Sequence, residues 1–511
     1  MMDSKIQRIK KGIKSRLLLQ PAVEEDPRLL SDRAKNKIII ILALCACTPG
    51  FSSTIYFPGL PLITSDLNAP PIATTLTAAL FVLFMGLAPV LWASISDHYH
   101  MRRYLSIISM LIFSVASLGS AVITNIWGLV VLRCIQSVGS SCGQSVGAGV
   151  IADCYPIEKR GVAFSKFFFG VFFGPLLGPI IGGVLIMSKE SWRATFWFCL
   201  AFGLCITLIV FFFLPETYRI DDKFDKVLPI SKNITTEEKV SNHHHRQPSI
   251  SPSMDDENTV VPIQQQKLPQ EEENNKIVVS NSTELKKSRM NPFASFLLLR
   301  HPFIFLASFV GAVAFASMFA VETIIPGLYE ENYQFSSWQT GLSYLGAGIG
   351  NLIGSTVGGK LSDRLVMRSR KLRGRPMVED RLTLNLWPCT LIIMPFGLLL
   401  FGWMVEYQRS VWAGIIGFGF VTFGMSQVVS ATSAYLVDAM PGKGASATAA
   451  ANLIRMILAC VLTLVSNQMV TALGPGYTCV LLAGLSWLAT ICLLILKIYG
   501  EQLRHWSGFK N

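Results

Sequence analysis

Charge is what this sequence is short of. Of 511 residues, 15% are Asp, Glu, Lys or Arg, where an ordinary soluble domain carries about 25%. With 51% hydrophobic residues and a mean hydropathy of +0.47, the composition excludes a water-soluble globule. No Gly-x-x-x-x-Gly-Lys-[Ser/Thr] loop occurs, so the phosphate cradle of an ATP-driven machine is missing. Residues 1–37 are polar and basic and hold no short apolar core of a cleavable signal. They read as a cytosolic tail. Cysteine gives no disulfide framework either. The eleven Cys are odd in number and fall mostly in apolar runs, as small hydrophobic filler does. Cys45-Ala-Cys47 has no further ligands at metal spacing, so no metal site is expected.

What is present is a series of apolar runs of about 20 residues, each long enough to cross a bilayer. Six fall in the first half, near 38–63, 71–93, 103–123, 126–150, 162–187 and 193–214. Six more fall near 302–327, 338–359, 382–404, 410–436, 445–472 and 477–498. The expected fold is an all-α membrane protein of 12 transmembrane helices. Its parts are the tail at 1–37, a six-helix bundle over 38–214, a central loop over 215–300, a second bundle over 301–498 and a tail at 499–511. The centre includes "QQQKLPQEEENNK" and cannot bury a core, so it is expected to be cytosolic and largely disordered. It holds His243, His244 and His245, read as a solvated tract. Its sequons at Asn233 and Asn281 are expected to go unused.

The net charge of +12 does not point to nucleic acid, because Lys and Arg gather in loops beside the spans, where they set orientation. One side carries Arg102, Arg103, Lys159, Arg160, Arg364, Arg368, Arg370, Lys371, Arg373 and Arg375, and the other carries Lys189, Arg193 and Arg409. Both termini are therefore expected in the cytosol. The halves also repeat. "ASISDH" at Ala93 to His98 corresponds to "GKLSDR" at Gly359 to Arg364, and "DCYP" at Asp153 to Pro156 corresponds to "DAMP" at Asp438 to Pro441. Two matches at corresponding places imply duplication of a six-span unit.

Further motifs give these repeats a context. "ASISDHYHMRRYL" (Ala93 to Leu105) is similar to a loop motif of form G-x-L-a-D-R-x-G-R-K. "LVVLRCIQSVGSS" (Leu129 to Ser141) resembles a fourth-span motif with its Arg at Arg133 and Gln at Gln136. "GPLLGPIIGG" (Gly174 to Gly183) matches the fifth-span pattern G-x-x-x-G-P-x-x-G-G, and "LPETYR" and "STIYFPGLP" fit the ends of spans six and one. Together these resemble the major facilitator superfamily, in particular the fungal twelve-span drug:proton antiporters that include quinidine-resistance, polyamine and dityrosine exporters. The resemblance implies two six-helix pseudo-repeats with a substrate site at the midplane. It implies a charge clamp at Asp97, Arg102 and Arg103, with a second copy at Asp363 and Arg364. It makes Gly174, Gly178, Pro179, Gly182 and Gly183 an antiporter motif, expected at the interface between the halves. The first loop copy departs from the pattern at Ala93, His98, His100 and Met101.

The remaining candidates come from charge inside the spans. An ionisable group within a bilayer costs at least about 2.5–3.5 kcal/mol and normally faces the bundle interior or a pathway. Arg133 sits after "LVVL", and Gln136 lies one turn on, on the same face. The resemblance assigns this Arg to proton or substrate coupling, and a snorkelling Arg near the interface is the alternative. Glu322 is the acidic residue placed within an apolar run, either as a proton carrier or as an interfacial group in contact with water. Asn452 and Arg455 share a face three residues apart, with Arg455 placed to pair with Asp438 or to face the substrate path. Tyr56, Phe57, Phe172, Tyr344 and Trp403 are candidates to line an amphipathic cavity. The first span has no acidic residue, so the proton carrier stays open.

The expected function is secondary active transport, not enzymatic catalysis. The protein would export small organic molecules such as drugs or polyamines in exchange for protons. The proton gradient would be the driving force and no cofactor would be needed. The chain is expected as a monomer in the plasma membrane, with vacuolar or prospore membranes as alternatives. Nutrient uptake and a transport-like sensor are the rival functions.

Overall fold

A computed structural model describes residues 26–155, 157–218, 294–373, 378–382, 386–440 and 444–508. The central loop from 219 to 293, with its His tract and both sequons, lies outside the described residues. All regular structure among the described residues is helical. A segment crossing lipid must satisfy its own backbone polar groups, and a helix does so within one segment.

In the first half, α1 spans Asp32–Thr54, a short α2 spans Leu60–Asp66, and α3 spans Pro71–Tyr99. Then follow α4 (Arg103–Val122), α5 (Ile126–Cys154), α6 (Ile157–Ile186) and α7 (Arg193–Phe213). In the second half, α8 spans Pro302–Tyr333. Next come α9 (Ser337–Ser343), α10 (Leu345–Arg373), α11 (Met394–Glu406) and α12 (Val411–Ala439). The last helical run, α13, covers Gly444–Trp506.

Among the described residues, ten stretches are long and apolar enough to cross a membrane. The run at 446–506 cannot be one crossing, because 61 residues of straight helix would reach about 90 Å, three times the bilayer's hydrocarbon core of about 30 Å. It divides at Gly474, whose φ of 83° and ψ of 162° lie in a region open essentially to glycine alone. Glu406 fixes this corner by accepting from the Gly476 N–H at 3.1 Å. Counted as two, and with α9–α10 as the eighth crossing, the helices make twelve. The eighth span is not the single run expected. It breaks at Tyr344, after a helix whose start is fixed by a capping box between Ser336 and Gln339.

The glycine rhythm of the fifth span is a packing face, but not mainly between the halves. Gly170, Gly174, Gly178 and Gly182 of α6 lie directly against Ala43, Cys47, Thr54 and Ile55 of α1, within the same half. A Cβ on Gly182 would meet the Ile55 carbonyl oxygen. Pro175 docks its ring on Gly50. The expectation is corrected for the stripe and kept for its edge: Gly183 faces Ser337 and Gly341 of α9, and the Pro179 carbonyl meets Gly341. Gly346, Gly350 and Gly354 of α10 pack in the same way on Ile415, Gly419 and Phe423 of α12.

Other contacts between the halves join Phe57 edge-on to Phe319 at 6.1 Å and Asn467 Nδ2 to Thr75 Oγ1 at 2.8 Å. Gly86 of α3 lies against Met456 of α13. These contacts sit at mid-depth or toward the end of the bundle away from Arg102.

Replacing Gly182 by Ala should cost about 1–3 kcal/mol, as overpacking does. Gly484→Ala should cost nothing, since a Cβ there meets no neighbour within 4 Å. Thermal unfolding of the two purified variants checks the difference.

Candidate functional site

Arg133 lies at the centre of the first half and is 0% exposed, so it does not snorkel. Its Nη1 donates to Gln136 Oε1 at 2.6 Å and to the Ser52 carbonyl at 3.1 Å. That carbonyl is available because α1 ends at Thr54, and the last carbonyls of a helix lack intrahelical donors. Gln136 passes the network to Ser117 Oγ at 2.7 Å. The guanidinium carbon lies 4.2 Å from the Tyr56 ring centroid, 4.1 Å from Phe81 and 5.9 Å from Phe196. Desolvated cation–π contacts of this kind contribute about 2 kcal/mol. Nε and Nη2 have no hydrogen-bond partner, and no carboxylate among the described residues forms an ion pair with this Arg.

Glu322 is 4% exposed in α8, so the reading as a wetted interfacial residue does not hold here. Among the described residues no side-chain hydrogen bond or ion pair engages its carboxyl. Its backbone carbonyl accepts from the Tyr344 hydroxyl at 2.7 Å. Phe315, Phe319 and Glu322 recur at helical spacing on one face of α8, and Phe315 stacks on Phe319 at 5.5 Å. Arg455 is partly buried, with its Nε sealed and unpartnered. The expected pair with Asp438 is not formed. Arg455 lies instead 6.0 Å from the Phe315 ring.

These groups do not form one cluster. Arg133 belongs to the interior of the first half, and Glu322 and Arg455 to helices at the seam. A chain of ring contacts connects them: Arg133 to Tyr56, Tyr56 to Phe57 at 5.4 Å, and Phe57 to Phe319. Trp403 stacks on Tyr407 at 5.6 Å, away from this chain. The Phe172 side chain lies outside the described residues.

At the opposite end of the bundle Asp97, Arg102 and Arg103, the residues expected in the first clamp, lie together, with Arg102 at the centre of the contacts. Arg102 Nη1 reaches Asp97 Oδ1 at 3.0 Å and Ser96 Oγ at 2.8 Å, and its Nε reaches Asp153 Oδ2 at 3.2 Å. Glu216 accepts from the backbone N–H groups of Arg102 at 3.0 Å and Arg103 at 3.1 Å. The Arg103 guanidinium donates to the Phe211 carbonyl at 3.0 Å. Four elements are thereby joined. Asp153 and Glu216 were missed as clamp members, although "DCYP" and "LPET" both stand at span ends. In the second copy Arg364 is exposed, and the Asp363 side chain lies outside the described residues. The described charge cluster of the second half is elsewhere: Arg504 pairs with both Glu379 oxygens at 3.0 and 3.1 Å, and Lys497 lies 3.6 Å from Asp380.

Glu379 and Arg504 are 2% and 5% exposed. Arg504→Ala should therefore cost about 3–5 kcal/mol by stranding a buried carboxylate. Asp97→Asn should cost at most about 1 kcal/mol, because the Asp97 side chain is 64% exposed. Unfolding of the purified variants separates these values.

Residues 42–463 match the sequence model of the Major Facilitator Superfamily. The MFS antiporter QDR3 of Candida albicans is 29% identical, over 97% of this chain and 82% of its own length. The MFS transporter fsa7 of a Fusarium species is 30% identical, over 95% and 88%. Citrate exporter 1 of Aspergillus niger is 29% identical, over 94% and 89%. Among solved structures, a bacterial homologue of the human lysosomal transporter Spinster, in an inward-facing and unoccupied conformation, superposes with a TM-score of 0.62 at 14% identity. It covers 94% of this chain and 98% of its own, and at that identity it speaks to the fold. A multi-pass helical chain matched over most of its length in this way belongs to the major facilitator superfamily.

Proposed function

We propose that the protein is a secondary active exporter that moves small organic molecules out of the cytosol in exchange for protons. The observation that carries this reading is Glu322, a carboxyl buried without a partner on the helix that touches the other half. A carboxylate in such a place is costly unless it binds a proton or meets a cation. A group that gains and loses a proton as the halves rock is the simplest coupling device. The antiporter and exporter named among the relatives support the direction.

In this reading Arg102 and its carboxylates mark the cytosolic end, as the Lys and Arg bias suggests. The contacts from Phe57 to Phe319 and from Gly183 to Gly341 then close the outer end. Arg133 with Gln136 ties α1, α4 and α5 together behind the path, and the proton gradient supplies the work. The protein acts as a monomer at the plasma membrane with both termini inside.

Comparing metabolite and drug accumulation in cells with and without the protein identifies a cargo, and vesicles then test coupling. A proton gradient directed into the cytosolic space should drive that cargo outward, and absence of any gradient effect refutes coupling. Glu322→Gln should lose at least tenfold of the gradient-driven flux while keeping cargo-for-cargo exchange. Arg133→Ala should abolish transport at normal expression. Arg133→Lys should not restore it, since an ammonium cannot reproduce the guanidinium's flat stacking and forked donors.

A further inference from the structure

On the transporter reading above, we infer that Arg455 is the anion-binding group of the substrate path and that the cargo is an amphipathic organic anion. Position on the helix supports this first. In the first arm of α13 the outward stripe is Ile457, Val461 and Val465, each 39–48% exposed. At 3.6 residues per turn, Arg455 lies about 160° from Ile457 and about 80° from Val465, at the edge of the buried face formed by Ala459, Thr463 and Ser466, with Asn452 beside it. Its guanidinium lies 6.0 Å from the Phe315 ring of α8, which turns it toward the bundle interior.

Phe315 shows the same partial exposure on the neighbouring helix. It is partly open while the residues on both sides of it, from Val310 to Ala314 and from Ala316 to Ile325, are buried. Arg455 and Phe315 are thus two partly open side chains in contact with one another. Met456, the next residue, rests on Gly86 of the first half, so this contact lies at the seam where the halves meet.

Arg455 has a sealed, unpartnered Nε, and among the described residues it forms no ion pair. Beside it run Phe315, Phe319 and Phe57, in ring contact with one another. A guanidinium offers a carboxylate or phosphate paired donors in a fixed plane. The aromatic wall takes an apolar body. A cation such as a polyamine would meet the positive charge of Arg455 at this place, the carboxyl of Glu322 lying two turns of α8 beyond Phe315.

The test uses two probes of the same shape and opposite charge, 2-naphthoate and 2-naphthylmethylammonium. Binding is read as thermal stabilisation of the purified full-length protein, without a proton gradient. The naphthoate should stabilise the wild type in a dose-dependent way and the ammonium should not. Arg455→Met should weaken the naphthoate effect at least tenfold, and Arg455→Lys should keep part of it. Without ligand, Arg455→Met should melt at or above the wild-type temperature, because it removes an unpartnered buried charge. Stabilisation by the ammonium, a naphthoate effect that survives in Arg455→Met, no effect of either probe, or a large loss of stability in Arg455→Met each overturns the inference. Binding is read without a proton gradient, whereas coupling is read as gradient-driven flux, so failed coupling and a failed anion site give different results.

Discussion

The rest of this structure depends on one constraint: a charge placed inside a bilayer has to find its partner within the protein. Arg133 meets it without a carboxylate. Three ring faces, a side-chain amide and a carbonyl freed by the end of α1 take the place of an anion. The price is strict geometry, since every one of those groups comes from a fixed place on α1, the turn after it, α3, α5 or α7. The first half is thereby locked around its own centre. The unpartnered Glu322 and Arg455 lie instead on helices at the seam.

Close approach of backbones provides the second level of order. The α6 glycines bring that helix onto α1, and the end of α1 in turn presents Ser52 and Tyr56 to Arg133. The stripe is thus linked to the buried cation through a single helix. At the end of the bundle carrying Arg102, each half ties a turn to its last helix. In the first half a basic turn after α3 meets the acidic Glu216 beyond the last helix. In the second an acidic turn at Glu379 and Asp380 meets the basic Lys497 and Arg504 of the last helix. Each half ties the turn after its second span to the end of its sixth, the first through backbone N–H groups and the second through an ion pair.

Much of this was legible in the sequence. Apolar runs located the spans, and the Ala93 and Gly359 loops located the repeat. The position of Arg133 in an apolar run marked it as buried or snorkelling, and only packing could decide between them. What the sequence could not reveal was partnership. A glycine rhythm defines a face but does not name the helix that lies on it, so α6 was expected at the seam and proved to lie mainly on α1. Helical spacing paired Gln136 with Arg133 because both lie on α5. It could not bring Glu216 to Arg102 across more than a hundred residues, or Arg504 to Glu379. The break at Tyr344 was hidden because the apolar pattern runs through it.

The central claim, exchange of cargo for protons, is tested most directly by reversing the usual experiment. The purified protein is placed in vesicles that hold a pH-sensitive dye, and a cargo gradient is imposed with no initial proton gradient. The account predicts that cargo moving one way drives protons the other, so the lumen changes pH in the direction opposite to cargo flow and fails to do so in Glu322→Gln. Cargo movement without any pH change in the wild type would contradict it.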